Sequence, residues 1–114
     1  MIKGKHNIFR GNGKHILSYK SGDVYAGEFC DGIRHGFGKL QTKDKIIYQG
    51  HFVNNKKNGF GKIFYPTGEK YFGLFKDDMK DGEGYFFDKD GNIQSQIWEN
   101  GILIENVIEY KISN

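Results

Sequence analysis

A 23-residue repeat constrains this chain more than any other feature of its sequence. Tyr25, Tyr48 and Tyr71 stand 23 positions apart. Each is followed two positions later by glycine and four positions later by phenylalanine, and a Gly-x-Gly triplet recurs at one phase of every period. A period of about 20 to 50 residues marks a structure in which one supersecondary unit is stacked several times.

The period divides nearly the whole chain into units, with irregular units at both ends. Before the first full unit, Gly11–Lys14 resembles the later Gly-x-Gly-Lys segments but stands two residues out of phase. After the last full unit the tyrosine and glycine are lost, while the ring is kept as Trp98. We therefore predict a single domain over residues 1–114. Its units are a degenerate unit 2–24, repeats 25–47, 48–70 and 71–93, and a modified capping hairpin 94–112.

Turn sites recur at two fixed places in each unit, and residue types that tolerate positive φ occupy the first of them. One place falls six and seven residues after the tyrosine, as in Asp31-Gly32, and the other falls nineteen and twenty residues after it, as in Asp44-Lys45. Such evenly alternating turn sites, with extended segments between them, are typical of an antiparallel meander. The apolar residues show no 3.6-residue period, which excludes helix there. The predicted fold class is all-β.

Glycine recurs inside the predicted strands at a fixed position beside aromatic rings. Because side chains alternate between the two faces of a strand, Tyr25, Gly27 and Phe29 share one face. A glycine in a strand often marks the close approach of another group. Burying a ring is worth about 1.5–3 kcal/mol, whereas glycine costs about 0.5–1 kcal/mol relative to alanine. We therefore expect each ring to lie flat over a neighbouring glycine.

Composition limits the class of protein. Hydrophobic residues make up 37% of the chain and aromatic residues 16%, and there are 17 glycines, which together favour a thin structure. A net charge of +3 with Arg10 and Arg34 as the sole arginines does not suit a nucleic-acid binder. Cys30 is the one cysteine, so no internal disulfide can form and a reducing, cytoplasmic location is expected. No apolar run is long enough to span a membrane.

The sequence contains no motif typical of catalysis, cofactor binding or metal binding. The Gly-x-Gly-Lys segments lack the spacing of a phosphate-binding loop. Asp88–Ile93 imitates a calcium loop, but its first and twelfth ligand positions would be Phe86 and Ile97. The four histidines share no spacing typical of metal ligands. We therefore expect a non-enzymatic protein without cofactor or metal.

The repeated residues resemble the MORN repeat (membrane occupation and recognition nexus). Its pattern of Tyr-x-Gly-x-aromatic followed by Gly-x-Gly occurs at Tyr25–Phe29 with Gly36–Gly38, and again in the next two units. The resemblance implies an elongated, twisted, single-layer antiparallel sheet of tandem β-hairpins. It implies roles in scaffolding, in binding peptide or helical partners, or in attachment at membrane–cytoskeleton boundaries, and it implies no chemistry.

A single sheet has one face with nothing of its own to pack against, and an uncovered aromatic face is a recognition surface. Two sets of rings compete for this role. We expect the first set to line a groove for a protein partner, and we keep the second as the alternative. The first set is Tyr25, Phe29, Tyr48, Phe52, Tyr71, Phe75 and Trp98, and the second is Phe37, Phe60, Phe64, Tyr85 and Phe87.

Lysines near the turns support a different hypothesis, in which the chain binds acidic phospholipids at a membrane surface. Two further hypotheses stay open: another copy of the chain joins at an open edge, or the chain is a regulatory segment of a larger enzyme. The lysines of the lipid hypothesis are Lys43, Lys45, Lys56, Lys57 and Lys80.

The C-terminal segment carries a strong hairpin signal, Asn100-Gly101 between apolar residues. The tail from Val107 to Ile112 has an apolar pattern that fits a strand or a short helix. We expect a strand, and either structure would protect the edge of the sheet.

Overall fold

The computed structural model describes residues 9–110, which form one antiparallel sheet of nine strands and contain no helix. Strand order in the sheet follows the sequence, so every strand pairs with its neighbours along the chain. The described part measures 62 × 25 × 21 Å, which confirms an elongated single layer. The strands are β1 (Gly13–Ser18), β2 (Val24–Cys30), β3 (Ile33–Gln41), β4 (Ile47–Val53), β5 (Lys56–Phe64), β6 (Lys70–Lys76), β7 (Met79–Phe87), β8 (Ile93–Glu99) and β9 (Ile102–Tyr110).

The short turns adopt the conformation that their residue types predict. Asn54 and Asn55 both have positive φ, 48° and 74°, as a two-residue hairpin turn that follows the twist of its strands requires. The Asn55 N–H also donates a hydrogen bond of 2.8 Å to the carbonyl of Arg34 on β3. Equivalent bonds join Asp78 to Lys57 and Gly101 to Lys80, so each short turn is tied to the preceding unit.

The predicted packing of rings over glycine is confirmed. A Cβ added at Gly61 of β5 would overlap the ring and hydroxyl of Tyr48 on β4. The same relation holds between Gly38 and Tyr25 and between Gly84 and Tyr71. Each tyrosine ring therefore occupies the volume that a side chain on the next strand would fill, and we call this side of the sheet the core face.

Edge-to-face contacts between aromatic rings connect the core face of each unit to that of the next. Tyr48 contacts Phe52 of its own strand, with ring centroids 5.1 Å apart, and Phe75 of the next unit, 5.3 Å away. Tyr25 contacts Phe52 in the same way at 5.2 Å with perpendicular planes. This geometry is favourable for aromatic pairs because a ring edge meets a ring face. The core is therefore a continuous ladder with one layer of rings.

The C-terminal tail continues the sheet. β9 extends to Tyr110, which confirms the expected strand over residues 107–110, while residues 111–112 of the predicted cap lie outside the described part, as do residues 2–8 of the first unit. Ile102, Ile104 and Ile108 of β9 are exposed, at 57–68% of their full surface. An apolar edge strand of this kind offers unpaired backbone groups to another chain.

Replacing Gly61 by alanine tests the contact between ring and glycine. Gly61 has an ordinary φ, so alanine suffers no backbone strain there, and the cost comes from displacing the Tyr48 ring. We expect Gly61→Ala to lower the free energy of unfolding by about 1–3 kcal/mol. In a Tyr48→Leu background, which lacks the overlapping ring atoms, the same change should cost at least about 1 kcal/mol less. Equal costs in both backgrounds, measured by urea unfolding, would contradict the packing.

Candidate functional site: the open aromatic face

The rings first expected to line a groove form the core instead. Tyr25 and Tyr71 are 0% exposed and Phe75 is 5% exposed. The reason is geometric, because a tyrosine reaches across to the glycine of the next strand and neighbouring units then cover one another's rings. The expectation of an accessible lining needs this correction, since a partner meets almost no surface on these residues. The first set comprises Tyr25, Phe29, Tyr48, Phe52, Tyr71 and Phe75, all buried, and Trp98, which is half-buried.

Three cations cover the rings of the core face. The Lys80 ammonium lies 4.3 Å from the centroid of Tyr71 and 4.5 Å from that of Trp98. The Arg34 guanidinium lies 5.2 Å from the centroid of Phe52. Burial lowers the pKa of Lys80 below its ordinary value. These cation–π contacts cover the rings of the core face. The sequence-based expectations did not include them.

Two of these cations had been assigned to lipid binding, and that assignment is not supported by their positions. Lys57 is half-buried on β5, 5.6 Å from the centroid of Tyr48 and 3.8 Å from a carboxylate oxygen of Asp78. Lys80 lies between two rings, as described above. Arg34, Lys57 and Lys80 each stand nine residues after a tyrosine, so the repeat contained a signal that could have revealed them.

The other three lysines of the lipid hypothesis are exposed but do not form one patch. Lys43 and Lys45 lie at the turn between β3 and β4, and Lys56 begins β5 after the turn from β4. These two turns lie at opposite ends of β4 because the strands are antiparallel. A flat membrane could therefore contact the lysines at one end of the strands, but it could not contact the lysines at both ends at once.

The second set of rings lies on the opposite side of the sheet, which we call the open face. Phe37, Phe60 and Tyr85 are 55%, 47% and 50% exposed. They project from the side of the sheet that the buried tyrosines do not use, where Phe37 is paired with His51 and Phe60 with Leu74. The other two members are half-buried beside Phe72, with centroid distances of 6.0 Å and 4.9 Å, and they are Phe64 and Phe87.

A recess of about 460 Å³ lies on the open face between the rings of Phe37 and Phe60. The backbone of two glycines forms part of its lining between the rings. Two lysines also line it and no carboxylate does. The lining residues are Ala26, Phe37, Gly38, Lys39, Gln49, Gly50, Phe60 and Lys62.

Neighbouring contacts hold the side chains around this recess. The Phe37 ring stacks on His51, with centroids 4.2 Å apart and an interplanar angle of 24°. The Phe37 N–H donates a hydrogen bond of 3.2 Å to a carboxylate oxygen of Glu28. The Lys62 ammonium lies 5.0 Å from the centroid of Phe72. The recess is therefore a preformed apolar site with positive charge at its margin.

The buried tyrosines of the core face differ in the hydrogen bonds that their hydroxyls make. Tyr25 donates a hydrogen bond of 2.9 Å to the Glu28 carbonyl, and Tyr48 donates one of 2.8 Å to the His51 carbonyl. The buried Tyr71 hydroxyl has no hydrogen-bond partner among the described residues. Burial raises the pKa of Tyr25 and of Tyr71 to about 12 and raises that of Tyr48 as well.

Metal binding and membrane spanning find no support in residues 9–110. These residues contain no group of three or more His, Cys, Asp or Glu side chains placed to hold a metal ion. They also contain no helix with the length and apolar content that crossing a membrane requires.

Comparison with known proteins agrees with the repeat. The family model of the MORN repeat matches residues 25–45, 48–70 and 71–93, which together cover more than half of the chain. A search of curated proteins found no match to this sequence.

The tyrosine hydroxyls predict two effects on stability. Tyr48→Phe should lower the free energy of unfolding by about 1 kcal/mol because a hydrogen bond is lost, whereas Tyr71→Phe should leave it unchanged or raise it. In the wild type, the contribution of these buried tyrosines to stability should be fully present below pH 10 and be lost as pH rises toward 12. As pH rises, the unfolded chain ionises its tyrosines first, at their ordinary pKa. This ionisation stabilises the unfolded state relative to the folded state.

Urea unfolding from pH 8 to pH 12 measures both effects. Tyr71→Phe should weaken the alkaline loss, because one of the buried hydroxyls with a raised pKa is gone. A larger loss for Tyr71→Phe than for Tyr48→Phe at neutral pH would contradict the hydrogen-bond assignment.

Proposed function

This chain belongs to the MORN-repeat family, and from that membership and the geometry of its open face we propose that it is a non-catalytic scaffold that binds a protein partner. MORN repeats generally serve in protein or membrane interactions. The partner contributes an extended peptide or an amphipathic helix, two modes by which sheets and grooves commonly recognise other chains.

The exposed rings of the open face carry the proposal. Phe37, Phe60 and Tyr85 stand on alternate strands β3, β5 and β7, and each keeps about half of its surface accessible. Apolar surface of this extent on one side of a sheet favours a partner, because soluble proteins rarely leave large contiguous apolar patches exposed. Within residues 9–110 no second layer covers these rings.

The non-catalytic part of the proposal follows from the character of the single layer. Catalysis usually depends on titratable groups whose pKa values are shifted toward the working pH within an enclosed site. Here the large resolved shifts belong to tyrosines and move their pKa values away from neutrality. The open-face recess is apolar and has no carboxylate in its lining.

We propose that the scaffold works in the cytoplasm, at a membrane or cytoskeletal surface. The single cysteine, Cys30, is exposed as a free thiol, which suits a reducing compartment. A regulatory role within a larger enzyme is compatible with the same binding face.

Self-association is a second candidate interaction, and the apolar edge strand β9 favours it. The sheet of residues 9–110 has an odd number of strands, nine, so β1 and β9 run in the same direction. A second copy related by a two-fold axis at β9 would continue the antiparallel ladder, whereas head-to-tail addition without a flip of the sheet would create a parallel pair.

Affinity capture with matched variants tests the partner proposal. A Phe37→Ala/Phe60→Ala variant removes the two open-face rings beside the recess without touching the core face, so circular dichroism should still show a folded sheet. We expect this variant to lose the proteins that the wild-type chain captures from a cell extract, as identified by mass spectrometry. A Lys43→Glu/Lys45→Glu variant should retain them.

The same variants distinguish the lipid alternative in a liposome sedimentation assay. Salt-sensitive binding to phosphoinositide vesicles that depends on Lys43 and Lys45 would favour the membrane function. Protein capture that survives the loss of both phenylalanines would show that the open face is not the binding face.

A further inference from the structure

We propose that the recess between Phe37 and Phe60 takes one apolar side chain from an acidic segment of the partner, whose carboxylates pair with Lys39 and Lys62. This inference rests on the proposed function and names the chemistry of the partner. It follows from the size, the charge and the uniqueness of the recess.

The size of the recess suits an inserted side chain. Its volume of about 460 Å³ gives room for an aromatic or aliphatic side chain together with the backbone that carries it. Two rings stand beside it, and the backbone of Gly38 and Gly50 lines it between them. A recess of this shape favours a protruding side chain over the flat surface of a bilayer.

The charge of the recess selects carboxylates. Lys39 and Lys62 line it, and no acidic residue does. The nearby Glu28 carboxylate is engaged with the backbone N–H of Phe37. Because opposite charges pair across interfaces and like charges suppress wrong partners, a basic segment would be rejected here.

The strand register sets the spacing of the partner's carboxylates. Lys39 and Lys62 both lie opposite Gln49, on the strands at either side of β4. Two strand spacings separate them, or about 10 Å. An extended chain presents every second side chain to the same face, so positions four apart lie about 13 Å apart on one face, and flexible glutamate and lysine side chains close the remaining difference. A segment with two acidic residues four positions apart and an apolar residue midway between them, all on one face of the extended chain, therefore matches the site.

The array builds this site once. The segments at residues 36–39 and 59–62 both read Gly-Phe-Gly-Lys, and together they supply both rings and both lysines. In the third unit the corresponding segment is Gly-Glu-Gly-Tyr, so Glu83 replaces the ring and Tyr85 replaces the lysine. An acidic segment would meet repulsion there, which fixes its position between β3 and β5.

Synthetic peptides test the inference with the full-length chain. The probe is the blocked hexapeptide Glu-Ser-Phe-Ser-Glu-Ser, and its binding is followed through the amide resonances of Gly38 and Gly50 in an NMR titration. We expect saturable shifts at both glycines. Matched peptides with Lys in place of Glu, or with Ala in place of Phe, should bind about tenfold more weakly. Added salt should lower the affinity of the glutamate-containing peptide.

Charge reversal provides the matched control on the protein. The Lys39→Glu/Lys62→Glu variant should bind the acidic peptide about tenfold more weakly. The Lys43→Glu/Lys45→Glu variant has the same change in net charge and should bind it with nearly unchanged affinity. The inference is overturned if the basic peptide binds as well as the acidic one, or if both variants behave alike. It is also overturned if anionic phospholipid vesicles shift Gly38 and Gly50 while the peptide does not.

The outcomes separate this inference from the proposed function. If capture of partners depends on Phe37 and Phe60 but the acidic peptide does not bind, the acidic-segment inference fails and the scaffold function stands. If capture is indifferent to both rings while the peptide binds in the recess, the scaffold function on this face fails and the recess remains a site for acidic segments.

Discussion

The contact between a tyrosine ring and the glycine of the next strand holds this single-layer sheet together. A sheet usually buries one face against a second layer. Here the ring of Tyr48 fills the space above Gly61 on the adjacent strand, and the rings of Phe52 and Phe75 close around it. The core is therefore made within the layer, and its length grows with the number of repeats.

The same contact decides which face of the sheet is free. Rings that find a glycine on the neighbouring strand become buried, and the cations Arg34, Lys57 and Lys80 cover them. Rings on the opposite side of the sheet, such as Phe60, stay exposed. Stability and recognition are thus assigned to opposite faces, which allows the open face to vary between units without loss of the core.

Much of the fold could be predicted because the repeat presents each position three times. The turn at Asn54-Asn55 and the ring over Gly61 each follow from residue types at fixed phase. The binding face could not be predicted, because both faces carry rings and the choice depends on cross-strand partners that the register supplies. The covering role of Lys80 was missed because a lysine column in sequence is typical of a solvated surface.

The most direct measurement of the central contact is the chemical shift of the glycine Hα protons. A proton beneath an aromatic ring is shifted upfield by the ring current, so Gly38, Gly61 and Gly84 should each show an upfield Hα resonance. Replacing Tyr48 by leucine should return the Gly61 resonance to its ordinary position and leave that of Gly84 in place. Ordinary shifts at all three glycines in the wild type would contradict the account.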